Sequence, residues 1–111
     1  MRNYTVTYYP VSTGICAIHW GEVAGITAKA HGERTVELVL GRLLSFGIQV
    51  VAATGERAVR AALIKVKHKV PYPDAFGVEL ASESPAHVLV TADFDLKPTA
   101  RAVKIEFVPT K

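Results

Sequence analysis

The sequence predicts an α/β fold with three layers, in which helices cover both faces of a mainly parallel sheet. The first observation is the order of the patterns along the chain, which is β, β-α-α, β-α-α, β, β. Strands separated by helical pairs are typical of parallel sheets with helices on each side. The second is the apolar content, which is 50% of 111 residues and fits a single folded domain over residues 1–111.

Composition excludes several classes of protein. The single cysteine, Cys16, cannot form an internal disulfide or a thiolate metal cluster. No apolar run reaches the ~18 residues of a membrane span, and the start lacks the order of a signal peptide. We therefore expect a cytoplasmic protein without membrane association. The net charge of +3 permits an anionic partner without requiring one.

The first half of the chain predicts two strands and two helices. Residues 3–9 are β-branched and aromatic with near alternation, which predicts a strand, and residues 10–14 are turn formers. Residues 15–18 predict a second strand. A helix near residues 19–31 with Gly32 at its end follows, and then a second helix that ends before Gly47.

The second half repeats the pattern. Residues 48–53 predict a strand, and Thr54 is a candidate N-cap for a helix that runs to about Lys69. The apolar residues of that helix recur at helical spacing; they are Val59, Leu63, Val66 and Val70. Pro71 ends it, and a further helix extends to about Ser84. Residues 87–91 and 102–108 predict the last two strands.

Four carboxylates stand at positions where an ordinary surface role fits poorly, and residues 91–95 lie beyond the carboxyl end of a strand, where parallel sheets hold ligands. Asp93 and Asp95 follow the strand that ends at Thr91, Asp74 lies in the first turn of a helix, and Glu22 interrupts an apolar stretch. A converging set of carboxylates needs a cation, and oxygen ligands without Cys or His favour Mg²⁺ or Mn²⁺. Taken singly, the same residues are also ordinary helix-terminal, turn and solvated positions.

These residues resemble the PIN domain, in particular the VapC-type toxins. The resemblance covers about residues 13–108 and is strongest at 61–97, with the stretches Pro73-Asp74-Ala75-Phe76 and Leu89-Val90-Thr91-Ala92-Asp93. ICAIHWGEVAG is similar to the family's short strand and acid-bearing helix, with Cys16 at or beside a position usually held by serine. VKIEFVP is similar to its closing strand.

The resemblance implies a Mg²⁺- or Mn²⁺-dependent ribonuclease of a toxin–antitoxin system. Glu22, Asp74 and Asp93 would be the catalytic, metal-binding acids, with Asp95 as a further metal ligand. Thr91 would support the site by hydrogen bonding. RNA would be the substrate and an antitoxin protein a partner.

The family's opening strand, which bears the first aspartate, and the helix after it have no counterpart in this chain. MRNYTVTYYPVSTG stands in their place, and no aspartate precedes Asp74. We expect residues 3–9 to supply a substitute strand, antiparallel because the short link to residue 15 allows only a hairpin. Pairing between two chains is the rival solution, and a homodimer would cover the uncovered apolar face. A non-catalytic PIN-like interaction module is the alternative function.

A basic run is the remaining candidate interface. Lys65, Lys67 and Lys69 close a predicted helix, where cations suit the helix dipole, and they are also candidate contacts to RNA phosphates. Arg57 and Arg60 extend this charge.

Overall fold

The computed structural model describes residues 5–8, 13–84, 87–91, 99 and 103–107. Its elements follow the predicted order: β1 (Thr5–Tyr8), β2 (Thr13–Cys16), α1 (Ala17–His31), α2 (Glu33–Ser45), β3 (Ile48–Val51), α3 (Gly55–His68), α4 (Tyr72–Ala81), β4 (Val88–Thr91) and β5 (Lys104–Phe107). The α/β class is confirmed. Among the described residues no helix is long and apolar enough to cross a membrane.

The sheet places the first strand at its centre. The strand order is β3-β2-β1-β4-β5, and β1 runs antiparallel to both neighbours while β2 pairs parallel with β3 and β4 with β5. Four strands therefore share one direction, and β1 alone of the described strands opposes them. The predicted substitute strand is confirmed, and it comes from the same chain, so exchange between chains is not needed to fill the gap.

The second strand lies earlier than predicted. β2 covers Thr13–Cys16, and α1 begins at Ala17. The sequence predicts this strand two residues later, over residues 15–18. Thr13 and Gly14 join the sheet because they pair on one side with β1 and on the other with β3. Two flanking partners outweigh the turn preference of these residues.

Local signals fix several element ends as predicted. Gly32 ends α1 with φ of 88°, and its amide donates to the Ala28 carbonyl at 2.8 Å. Gly47 precedes β3 with φ of 90°, a conformation that strains residues with a Cβ. The Thr54 hydroxyl caps α3 by accepting from the Arg57 amide at 3.3 Å. Helix α4 ends at Ala81, three residues before the predicted end.

The core lies between α4 and the sheet. Helix α4 contacts α3 and strands β1, β2 and β4, and its residues 75–81 are all buried. Leu89 of β4 and Cys16 of β2 belong to the same cluster. Because α4 is covered on every side, any polar side chain on it must find a partner inside the protein.

Candidate functional site

The parallel strands end together at one edge of the sheet. Cys16, Val51, Thr91 and Phe107 are the last residues of β2, β3, β4 and β5, and the strand pairing places them at the same end. The antiparallel β1 brings its first residue there, since Thr5 pairs with Thr91. This is the edge at which open α/β sheets bind ligands.

Burial separates the acidic residues into three groups. Of the ten acids in the sequence, Asp93 and Asp95 lie outside the described residues, and five of the remaining eight are exposed. Glu79 is buried. Glu22 and Asp74 are the two half-buried residues among the described acids. These are two of the residues that the sequence selected as site acids.

Both half-buried acids lie on helices that begin near the carboxyl edge. Helix α1 starts directly after β2, so Glu22 is about 9 Å along the axis from Cys16. Asp74 lies in the first turn of α4. The Tyr72 hydroxyl donates to the Ala58 carbonyl at 3.2 Å and ties that turn to the first turn of α3, which follows β3.

The roles of the other predicted site residues stay predictions. Asp93 and Asp95 lie outside the described residues, and Thr91 is described as the last residue of β4. Within the part of the chain that the structure describes, no three potential metal ligands come together. The carboxylate oxygens of Glu22 and Asp74 are nevertheless the donor type that Mg²⁺ and Mn²⁺ prefer, and Mg²⁺ often uses only one or two protein carboxylates.

The three lysines are exposed but do not share one face. Lys65 and Lys67 are two residues apart on α3, which separates them by about 200° around the helix axis. Lys69 follows the helix in a left-handed conformation with φ of 56°. Any RNA contact by this run would therefore involve more than one side of α3.

A buried ion-pair network was missed by the sequence reasoning. Glu79 on α4 is 2% exposed and accepts from Arg57 Nη1 at 3.0 Å and from Arg60 Nε at 2.9 Å. Arg57 also contacts Glu83. The signal was present, because Glu79 is a charge inside the apolar run of α4 and two arginines stand three residues apart on the preceding helix.

This network changes the interpretation of the two arginines. Burial alone would lower the pKa of Arg57, but its hydrogen bonds to Glu79 and Glu83 outweigh burial and raise that pKa. Extension of a phosphate-binding surface to Arg57 was one of two open alternatives, and in the structure its guanidinium instead binds two carboxylates and is 17% exposed. Arg60 keeps 52% of its side chain exposed while its Nε binds Glu79.

Cys16 is a buried thiol at the end of β2. It is 3% exposed, and burial raises the pKa of the thiol, while the amides of Ile18 and His19 partly offset the rise. A protonated, enclosed thiol is a poor nucleophile and a poor metal ligand. Cys16 therefore packs in the hydrophobic core at the carboxyl end of β2.

Comparison with known proteins identifies the fold. No protein-family profile matches the sequence, and no curated protein matches it. A chain in a solved toxin-antitoxin complex from Klebsiella pneumoniae has the same fold, with a TM-score of 0.65 and 21% identity. The match covers 88% of this chain and 75% of that chain. At this identity the likeness establishes the shared fold.

Proposed function

We propose that this chain is a PIN-type endoribonuclease of a toxin–antitoxin system, dependent on Mg²⁺ or Mn²⁺. The half-burial of Glu22 and Asp74 carries the proposal, because these acids stand at the two described positions that the VapC resemblance assigns to metal binding. The fold shared with a chain of a toxin-antitoxin complex supports the class of system. It also supports an antitoxin protein as a partner.

Different residues of the chain would bind the metal ion, orient its ligands and bind the RNA. Glu22, Asp74 and Asp93 would hold the ion through carboxylate oxygens, with Asp95 beside them, and Thr91 would orient an acid by hydrogen bonding. The chemistry that Mg²⁺ or Mn²⁺ supplies in such sites is a water of lowered pKa and stabilisation of charge on the phosphate. Lys65, Lys67 and Lys69 would bind phosphates of the RNA.

A second candidate is a non-catalytic interaction module with the same fold. One observation favours it: the central strand β1 reads Thr-Val-Thr-Tyr and has no carboxylate. Its direction matters as well, because the carboxyl end of an antiparallel β1 lies at the opposite edge from Thr91. The central strand thus cannot supply an acid in the way that the family's opening strand does.

An RNA cleavage assay separates the two candidates. Purified protein is incubated with a mixed-sequence RNA in Mg²⁺ or Mn²⁺, beside Asp74→Asn, Asp93→Asn and, as a control on an exposed acid, Glu33→Gln. If the protein is a nuclease, the wild type and Glu33→Gln should cleave RNA in the presence of the metal, and both asparagine variants should not. Cleavage by Asp93→Asn, or no cleavage by the wild type, would contradict the nuclease proposal and favour the interaction module.

A further inference from the structure

Glu79 holds the two arginines of α3 in different ways. Arg57 uses both of its terminal nitrogens, Nη1 on Glu79 and Nη2 on Glu83. Arg60 binds the second oxygen of Glu79 through Nε at 2.9 Å, and 52% of its side chain is exposed. Among the contacts of the described residues, this bond is the one that Arg60 makes. The network therefore encloses one guanidinium and leaves the terminal nitrogens of the other at the surface.

The terminal edge of the Arg60 guanidinium has the geometry of a phosphate-binding group. A guanidinium carries five N–H donors in one plane, and two nitrogens on one edge match two oxygens of a phosphate. Glu79 takes the Nε of Arg60 from inside the protein, which leaves the edge formed by Nη1 and Nη2. Because Glu79 is buried and binds through both oxygens, it fixes the orientation of that edge. A side chain that is already held loses less conformational entropy when it binds a ligand.

Lys67 lies on the same side of α3 as Arg60. The two residues are seven apart, which places them within about 20° of each other around the helix axis and about 10 Å apart along it. Both are exposed, and we name this pair the α3 cation row. Lys65 lies about 140° around the axis from Arg60. The helix geometry thus selects Lys67 over Lys65 as the lysine that acts with Arg60.

The α3 cation row begins near the edge of the sheet where the metal site is proposed. Three residues separate the end of β3 from the start of α3, and Arg60 is about 8 Å along the axis from Gly55. Tyr72, in the first turn of α4 with Asp74, donates its hydroxyl proton to the carbonyl of Ala58. An RNA strand bound along the row would therefore have one end close to the first turn of α4.

A polynucleotide fits the α3 cation row better than a single carboxylate does. Every nucleotide carries a phosphate, so two cations about 10 Å apart on one side of a helix can bind the same strand. The net charge of +3 also favours a polyanion. Glu56 is exposed about 40° around the axis from Arg60 and repels phosphates at the start of α3. The strand would therefore extend from Arg60 towards Lys67.

We propose that Glu79 positions Arg60 to bind a phosphate of an RNA strand, and that Lys67 binds a second phosphate of the same strand. Arg60 and Lys67 are substrate-binding residues, and Glu79 is a positioning residue that acts through Arg60. The inference rests on the proposed function, from which RNA is taken as the ligand. It does not require cleavage, because binding is measured without a metal ion.

The salt dependence of RNA binding tests the α3 cation row. Fluorescence anisotropy follows a labelled single-stranded RNA of mixed sequence in EDTA over a series of salt concentrations. Arg60→Gln and Lys67→Gln should each weaken binding several-fold and reduce the slope of log K against log salt by about 0.7, the value for one phosphate of a single strand. Lys65→Gln and Arg34→Gln each remove an exposed positive charge elsewhere and should keep the slope. Equal effects of all four variants would overturn the proposal. No RNA binding by the wild type would also overturn it and would favour an acidic protein as the partner.

Glu79→Gln separates positioning from simple charge. The substitution makes the chain more positive by one unit, so charge alone would strengthen RNA binding, whereas release of Arg60 would weaken it. We expect several-fold weaker binding at a temperature where circular dichroism shows the variant to be folded. Arg60→Lys keeps the charge but cannot hold a carboxylate and a phosphate in one plane, and it should also weaken binding several-fold. Binding of wild-type strength by Arg60→Lys, or stronger binding by Glu79→Gln, would contradict the positioning role.

The inference and the nuclease proposal fail separately. Binding that depends on Arg60 and Lys67, in a protein that does not cleave RNA, would support the α3 cation row and contradict the nuclease. Metal-dependent cleavage with an unchanged KM in Arg60→Gln would support the nuclease and contradict the row.

Discussion

The guanidinium of Arg57 on α3 donates from Nη1 to Oε1 of Glu79 on α4 at 3.0 Å, and the glutamate side chain is 2% exposed. Arg60 binds the second carboxylate oxygen of Glu79 at 2.9 Å. One buried carboxylate thus joins two positions on α3 to the helix at the centre of the core. Burying a charge is costly unless it is paired, so the three side chains act as a unit.

Replacement of Glu79 is expected to destabilise the fold. Glu79→Ala leaves Arg57 and Arg60 without their buried partner and should lower the free energy of unfolding by about 3 kcal/mol, the low end for a broken buried pair because Arg60 remains half-exposed. Glu83→Ala, which removes the more exposed carboxylate, should cost under about 1 kcal/mol. Urea denaturation measures both. Equal decreases in the free energy of unfolding in the two variants would contradict the prediction that Glu79 contributes more to stability than Glu83.

The central strand provides a second prediction. Thr7 pairs with Gly14 on one side and with Leu89 on the other, so a proline there disrupts the middle of the sheet. Thr7→Pro should cost roughly 3 kcal/mol or prevent folding, while Thr7→Ala keeps the backbone amide and should cost about 1 kcal/mol or less. Thermal unfolding compares the variants. If the proline and alanine variants have the same melting temperature, residues 5–8 do not stabilise the centre of the sheet.

The buried thiol predicts how stability changes at high pH. Burial raises the pKa of Cys16 in the folded protein, so above about pH 9 the unfolded chain loses its thiol proton first. Ionisation then favours unfolding, and stability should fall as pH rises beyond that point. Denaturant titrations between neutral and alkaline pH should show this decline. It should be smaller in Cys16→Ala, and a decline of the same size in that variant would assign it to other groups.

The proposed metal site predicts a thermal shift. A bound ion stabilises the folded state according to its occupancy, so millimolar Mg²⁺ or Mn²⁺ should raise the melting temperature of the wild type. Asp74→Asn should reduce the rise because it removes one of the half-buried carboxylates. Glu33→Gln changes an exposed acid by the same chemistry and should keep it. A rise of equal size in all three proteins would point to nonspecific screening.

Local and short-range signals account for what the sequence predicted correctly. Gly32 and Gly47 take the positive φ expected of residues at helix ends, and Thr54 caps α3 as predicted. The antiparallel direction of β1 followed from the short link to β2, because so few residues allow only a hairpin. Glu22 and Asp74 are half-buried, and their role as site acids stays a prediction.

Long-range packing accounts for what the sequence did not predict. The spacing of Val59, Leu63 and Val66 correctly indicates a helix, yet the core contacts its other side through Ala61. Periodicity reports that a helix has an apolar face and does not report what covers it. Glu79 and its arginines are at least 19 residues apart, beyond the reach of any local pattern.

The order of the elements, the caps at Gly32 and Thr54 and the direction of the first strand follow from short stretches of sequence, because each depends on a few neighbouring residues. The position of β1 between β2 and β4, the enclosure of Glu79 by α3, and the exposure of Val59, Leu63 and Val66 became visible only in the folded protein. Those outcomes depend on which surfaces meet when the chain collapses. Burial is a property of the assembled layers, whereas caps and turns are properties of the local backbone.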